Sequence, residues 1–421
     1  NRFMNIEDEF ISSLKIGDEV NSKDTSKLLL QNKKQLLNSE LFNDVDIHFE
    51  GSVLKILVSE KWYFWPIPVI DLADRNFNQW WLSKDPRRLI YGTELKLENL
   101  RGRNERLYGN LTLGYTRQAD LTYEIPVFEK YQNLGLVLNG AIIANKEVWL
   151  KTEDNKVQFY NNVEEFGITR SRASAKVIKR KGVNQYQTFS LGWKQARVTD
   201  TVAVLNPDFL GDGKKQLNIF STNYSFILDQ RDVRGQPLKG NYFNLQLGLN
   251  HIAENKSEEQ WIPELRYRSS HFLPVSGRWF SSAGIHFKVS QNMPYRFNRA
   301  IGYDYQVVRG YEYYVADGPV AAVFKTNVKY ALLLNKKYRF GFIPVESYKE
   351  ANNTLFLLAF YDGGFAENRN PEQANSFNNR FLQGYGVGVE WVVWFDRMIR
   401  FEYSRNHIGE MGLYVSFKMG I

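Results

Sequence analysis

From about residue 90 to its end the chain keeps a two-residue rhythm. Leu107, Gly109, Leu111, Leu113 and Tyr115 share one side of an extended segment, with Tyr108, Asn110, Thr112 and Gly114 on the other. Phe243, Leu245, Leu247 and Leu249 oppose Asn244, Gln246, Gly248 and Asn250. Trp279, Ser281, Ala283, Ile285, Phe287 and Val289 oppose Phe280, Ser282, Gly284, His286 and Lys288. Leu413, Val415, Phe417 and Met419 oppose Gly412, Tyr414, Ser416 and Lys418. A period of two is the period of a β-strand. Strands of a soluble sandwich also alternate but are commonly about five or six residues long. These segments run to about ten or more, the length that crosses a bilayer at a tilt. Charged residues stay off the apolar face, where each would cost about 2–4 kcal/mol in mid-bilayer. Sixteen segments are expected, starting near Ile90, Arg106, Asp120, Asn133, Lys146, Ile168, Asn184, Leu217, Asn241, Trp261, Arg278, Ala321, Thr354, Phe381, Arg397 and Glu410. The even number suits a closed antiparallel transmembrane β-barrel over residues 90–421.

A membrane-crossing helix is excluded. The longest uncharged candidate, Tyr131 to Asn145, is broken by Gln132, Asn133 and Asn139. Alternating strands leave mean hydropathy low, so a barrel is not excluded with it.

Two stretches precede the rhythm. Residues 1–62 read as a small α/β domain. Ile6, Phe10, Ile11 and Leu14 mark one helix, and Leu28, Leu29, Leu36 and Leu37 mark a second capped by Ser22 or Asp24. Val45–Phe49 and Val53–Val58 then read as a hairpin across Glu50-Gly51-Ser52. A three-stranded version needs a strand before the first helix, so that strand is expected to be missing from the N-terminus. Residues 63–89 read as an aromatic linker. Trp62, Trp65, Trp80 and Trp81 suit a membrane–water boundary, or packing against the next domain.

One segment, 291–320, breaks the rhythm for about thirty residues, a length that is usually functional or disordered. Its tyrosines, Tyr303, Tyr305, Tyr311, Tyr313 and Tyr314, argue against disorder. Within it, Val308-Arg309-Gly310-Tyr311 sets a guanidinium in an apolar, tightly turned tip, where it needs a partner.

Catalytic and metal chemistry is not indicated. The chain has no cysteine, which removes disulfides and thiolate metal sites. His48, His251, His271, His286 and His407 show no ligand spacing. No nucleophile elbow, phosphate loop or dinucleotide fingerprint occurs. No enzyme activity, metal or cofactor is expected. The net charge is +8. Its one cluster, Lys176-Val177-Ile178-Lys179-Arg180-Lys181, is either a solvated loop end or a contact for a polyanion. No aromatic-interleaved basic patch points to nucleic acid.

Several of these features resemble the BamA/TamA-type superfamily of outer-membrane assembly and secretion proteins. Leu36-Leu37-Asn38-Ser39-Glu40-Leu41-Phe42-Asn43-Asp44-Val45 and Ile56–Lys61 resemble a POTRA module, a client-binding periplasmic domain. Val308-Arg309-Gly310-Tyr311 resembles the family's loop after the eleventh strand. The resemblance implies that this loop folds into the lumen and that Arg309 pairs with Asp362 of Phe360-Tyr361-Asp362-Gly363-Gly364, the glycines leaving it room. The family's second acid, on strand twelve, falls here at Lys329, which leaves Arg309 without that partner. Asp229, Arg231, Asp232, Pro237 and Gly240 resemble the family's periplasmic turn before strand nine. Gly384-x-Gly386-x-Gly388-Val389-Glu390 resembles a late strand.

The implied protein lies in a bacterial outer membrane, with its N-terminal domain in the periplasm. It inserts other barrel proteins by templating their strands at a seam between Ile90–Glu98 and Gly412–Gly420, which Gly92 and Gly412 weaken. The implied partners are unfolded outer-membrane proteins or a secreted polypeptide, outer-membrane lipid and other envelope subunits. Lipopolysaccharide phosphate is the polyanion that setting offers the 176–181 cluster. A secretion pore and an accessory barrel remain as alternatives. The family usually carries more than one POTRA module, and many of its barrels end in an aromatic, whereas this chain ends Lys418-Met419-Gly420-Ile421.

Overall fold

A computed structural model describes residue 33 and residues 42–418, apart from 51–52, 61, 75, 102, 127–132, 162–164, 183, 253–258, 304–305, 340, 342–349, 370–374 and 394–396. Apart from residue 33, which is helical, the expected N-terminal helices lie outside the described residues, as do the chain's last three residues. The expected hairpin is present as β1 (Phe42–Glu50) paired antiparallel with β2 (Val53–Glu60).

The chain continues through β3 (Phe64–Leu72), α1 (Phe77–Ser83), β4 (Leu89–Leu100), β5 (Glu105–Gly114), β6 (Thr116–Ile125) and β7 (Leu134–Asn145). Then come β8 (Glu147–Glu153), β9 (Lys156–Asn161), β10 (Ile168–Lys181), β11 (Gln185–Val198), α2 (Asp200–Leu205), β12 (Gln216–Asp229) and β13 (Gly240–Ile252). After these follow β14 (Gln260–Ser276), β15 (Trp279–Ser290), β16 (Arg299–Ile301), β17 (Ala316–Asp317) and β18 (Val320–Arg339). The last strands are β19 (Glu350–Glu367), β20 (Phe381–Val393), β21 (Arg397–Asn406) and β22 (Met411–Lys418).

Sixteen of these strands form one antiparallel sheet, each paired with its neighbours in sequence, with β3 at one edge and β22 at the other. Two excursions leave it: the β8–β9 hairpin, and the long segment that carries the short β16–β17 pair.

Two expectations need correction. The linker 63–89 contains the first strand of the sheet, β3, and a helix. The fifth expected segment, near Lys146, is no wall strand but one arm of the separate β8–β9 hairpin. The two errors offset in the count and leave the strand numbers after the fifth unchanged.

Side-chain placement along the strands inverts that of a soluble protein. Leu111, Leu121, Ile142, Phe189, Leu191, Val387, Tyr403 and Leu413 are each more than half exposed or close to it, all on the outer face. The inner face buries Lys288, Lys329, Asp362, Glu390, Glu402, Ser404 and Asn406. Exposed apolar surface on this scale needs a non-aqueous neighbour, and lipid is the neighbour that alternate strand residues fit. Among the described residues no helix is long and apolar enough to cross a membrane.

Apolar clusters close the two ends of the interior. At one end Val148, Ile168, Phe209, Leu210, Leu217, Ile219, Ile252 and Ile262 pack beneath the connecting segments. Beside them Ile301, Val308, Tyr311, Val323, Phe377 and Leu382 bury the 291–320 segment. At the other end Leu238, from the β12–β13 turn, packs on Phe280, Ala331, Phe356, Val392 and Met398.

Candidate functional site: an arginine-bearing loop, a charge ladder and a seam

The loop after β15 turns back onto the inner wall through Arg309. Its Nε donates to Asp362 Oδ2 at 2.7 Å and one Nη to Asp362 Oδ1 at 2.5 Å. The remaining donors reach Asn327 Oδ1 at 2.7 Å, Glu402 Oε1 at 3.1 Å and the Thr326 carbonyl at 3.2 Å. A guanidinium has five N–H donors in a fixed fork, and five bonds use them. The Phe360 ring lies 3.8 Å below the guanidinium carbon, a cation–π contact. The Arg309 backbone N–H also donates to Asp362, which is fully buried. Burial lowers the tendency of Arg309 to hold its proton, but the bonds and charge of Asp362 and Glu402 outweigh it, so its pKa moves up.

Glycines set how near the loop comes. Gly310 has φ of 93°, in the left-handed region that favours glycine, and its carbonyl accepts from the Asn406 side chain at 3.0 Å. A Cβ on Gly384 would stand 1.7 Å from the Arg309 carbonyl oxygen, and one on Gly364 would stand 2.5 Å from a Val308 methyl. Gly363 does not make room for the loop: its missing side chain faces the Phe324 and Phe381 rings. Tyr311 is buried against Phe377 and Tyr314, with its hydroxyl bonded to His407 Nδ1.

Other connections converge on the loop. Val315 N–H donates to the Asn155 carbonyl of the β8–β9 hairpin at 2.8 Å. Tyr303 donates to Asp317 at 2.9 Å, and Thr152 donates to the same carboxylate at 2.5 Å. The Asn378 side chain donates to the Asp317 carbonyl at 2.6 Å. Glu312 accepts from the Gly310 N–H at 2.9 Å, and burial pushes its carboxyl up to about 8.

The second acid of Arg309, which strand twelve lacks, is Glu402 on the fifteenth strand, β21. Lys329 instead donates to Glu390 at 2.6 Å, and Glu390 also receives Arg400 at 2.5 Å. Arg400 stands 3.7 Å from Glu402. Asp362, Arg309, Glu402, Arg400, Glu390 and Lys329 therefore form a ladder of alternating sign across β18, β19, β20 and β21. Within these six, three cations face three carboxylates, and Lys325, opposite Asp362 on the same inner face, adds a further cation beside them. The register opposes Glu390 to Arg400 and Gly388 to Glu402.

The β12–β13 turn meets the far end of this ladder. The Gln236 side chain donates to Glu390. Asp229 is clamped by Arg231 at 2.7 and 2.8 Å, and Asp232 accepts from the Leu238 N–H at 3.1 Å. Gly240, with φ of 105°, sits where a Cβ would strike the Gln230 carbonyl. Beyond being compact, the turn reaches inward over the lumen. The Lys176–Lys181 cluster is the end of strand β10, on the same end of the sheet as this turn, since Arg234 bonds Tyr186 beside it. Lipopolysaccharide lies on the opposite side of an outer membrane, so a periplasmic turn and a lipopolysaccharide contact at 176–181 exclude each other.

The expected seam moves as well. Gly92 is not in an edge strand; it lies in β4 between Val69 and Thr112. Gly412 is in the edge strand β22, opposite Ser404. Against the β22 edge stands α1, whose Phe77 ring meets Phe417 edge-on at 5.2 Å.

An up-and-down sheet of sixteen strands, apolar outside and charged within, with one connection returned onto its inner wall through an arginine, defines a transmembrane β-protein. A sequence model of the Omp85 superfamily domain matches residues 99–405, and the chain belongs to that superfamily. Two solved structures are similar in fold. BamA from Haemophilus ducreyi lacking POTRA domains 1–3 is 12% identical, with 93% of this chain and 79% of that one covered at a TM-score of 0.63. CdiB from Escherichia coli is 13% identical, with 98% and 73% covered at 0.55. Among curated proteins none matches the chain.

Proposed function

We propose that this protein is a bacterial outer-membrane factor that inserts other β-barrel proteins, with 1–62 acting in the periplasm as a POTRA-like client-binding domain. It works without catalysis, metal or cofactor. Its sheet curls into a barrel whose wall parts at one seam, where an unfolded outer-membrane protein adds a strand. The observation that carries this reading is that the sixteen-strand wall is left open, with unpaired edges at β3 and β22. Edge strands present unpaired backbone groups that seek partners. The docked loop and the charge ladder hold the wall beside the seam in one shape while the seam itself yields.

The alternative, a polypeptide secretion pore, requires the lumen to empty. The 291–320 loop, the β8–β9 hairpin and Gln236 all stand inside it, which favours insertion. An accessory barrel of an envelope complex would leave client assembly unchanged. Depletion in the source bacterium tests the proposal, with folded outer-membrane proteins quantified by heat-dependent gel mobility. Loss of several unrelated barrel proteins is expected; normal levels of all of them would overturn the reading.

A further inference from the structure

Backbone parity fixes what each edge of the seam offers. Across β3 and β4 the Tyr63 carbonyl accepts from Glu98 N–H at 2.8 Å, and Ala73 N–H donates to the Arg88 carbonyl at 2.9 Å. The register between them runs without a bulge. In an antiparallel ladder, alternate residues turn both backbone groups to the same neighbour. Odd-numbered residues of β3 therefore face β4, and even-numbered ones face the free edge. Pro66 and Pro68 are even-numbered, and proline has no N–H to give. The free edge of the first strand lacks two of its donors.

The last strand is the reverse case. Asn406 N–H donates to the Glu410 carbonyl at 3.0 Å, so even-numbered residues of β22 face β21 and odd-numbered ones face the free edge. Val415 is odd-numbered and has both backbone groups to offer. Both are taken by one side chain of α1. Val415 N–H donates to Asn78 Oδ1 at 2.7 Å, and Asn78 Nδ2 donates to the Val415 carbonyl at 3.1 Å. A carboxamide in this position copies the two bonds a neighbouring strand residue would make. Asn78 is buried, and its helix is pinned by its N-cap Asn76. That side chain accepts from Gln79 N–H at 2.9 Å and donates to the Glu312 carbonyl of the loop at 2.8 Å.

We propose that β22 is the strand-accepting edge of this protein and that Asn78 is a removable stopper on it. The occupant is an extended strand of a client with apolar residues on its outer side, to continue the exposed Met411, Leu413 and Phe417. The first strand, blocked by its prolines, does not receive the client. This deepens the insertion reading and rests on it.

The test uses the full chain in lipid vesicles and a peptide copying Arg397–Asn406, the sequence that already pairs with β22 along its other side. A benzophenone replaces the Phe401 side chain, which stands opposite Val415 in that register. Labelling near Val415 is mapped by mass spectrometry. Asn78→Ala should raise it about tenfold, the effect of losing a pair of hydrogen bonds. Adding Val415→Pro should abolish the gain. Because the chain has no cysteine, Phe77→Cys with Phe417→Cys, joined by a short bismaleimide, gives a second arm. It should hold labelling at background even with Asn78→Ala. Labelling equal in Asn78→Ala and the parent, labelling that survives the cross-link, or labelling on residues 64–72 would each overturn the proposal. Peptide capture is read in vesicles and client assembly in cells, so a failure of one is distinguishable from a failure of the other.

Discussion

Arg309 spends all five of its side-chain donors on partners contributed by three strands, and this decides how its substitutions behave. Removing one partner of a buried ion pair typically costs about 3–5 kcal/mol, so Arg309→Ala and Asp362→Ala should each lower the unfolding free energy, measured by urea titration of the refolded protein, by that much. Exchanging the two, Arg309→Asp with Asp362→Arg, should restore part of the loss and no more, because the carboxylate brought into the loop would meet Glu402. A double exchange no better than the worse single one would refute the pairing. Gly384→Ala should loosen the loop, read as faster trypsin cleavage after Arg309, whereas Gly363→Ala should leave that rate unchanged. The Asp362 contact was legible in the sequence because a short motif marks each partner. Glu402 was not, since Phe401-Glu402-Tyr403 looks like any alternating wall segment. Only the curl of the sheet brings it to a residue 93 positions earlier.

Elements were read well where period and length agreed, and poorly where they did not. Val148, Leu150 and Thr152 alternate and are buried, yet they belong to a hairpin packed on the loop. A period of two does not separate a wall strand from a strand folded inside the wall. Pro66 and Pro68 argue against a strand interior, and only the edge position of β3 makes them tolerable. The loop as a unit should respond to pH through Glu312. Its carboxyl, ordinarily near 4.5, is pushed up to about 8 when docked. A raised pKa in the folded state means that docking is at full strength below about 4.5 and weakens as pH rises through about 8. Hydrogen-exchange protection over residues 306–315, taken relative to the intrinsic exchange rate at each pH, should therefore fall between those limits, and Glu312→Gln should flatten the profile. An unchanged profile in that variant would assign the titration elsewhere. For the β12–β13 turn, Leu238→Asp should withdraw the turn from its apolar seat, and single-channel conductance in planar bilayers should rise.

For the whole molecule, the inside-out distribution of side chains makes a prediction that no soluble fold shares. Val387→Arg, on the outer face midway along β20, should destabilise the protein in lipid by about 2–4 kcal/mol. The same change at an exposed position of the β12–β13 turn, such as Val233, should be near neutral in the same unfolding assay. The sixteen-strand total was recoverable from the sequence through two offsetting errors, and the resemblance placed a seam between first and last strands; what the residues hid was that the first strand is β3, one hairpin arm earlier than Ile90.

Order of assembly follows from the reach of Arg309. Every wall strand zips onto the one before it, so the sheet can grow hairpin by hairpin from β3. The arginine is made after eleven of the sixteen wall strands and waits for Asp362, 53 residues on, and then for Glu402, on the last strand but one. Its fork can be filled only when nearly all of the wall exists. The bonds that fasten the loop are thus complete only when the wall is nearly so.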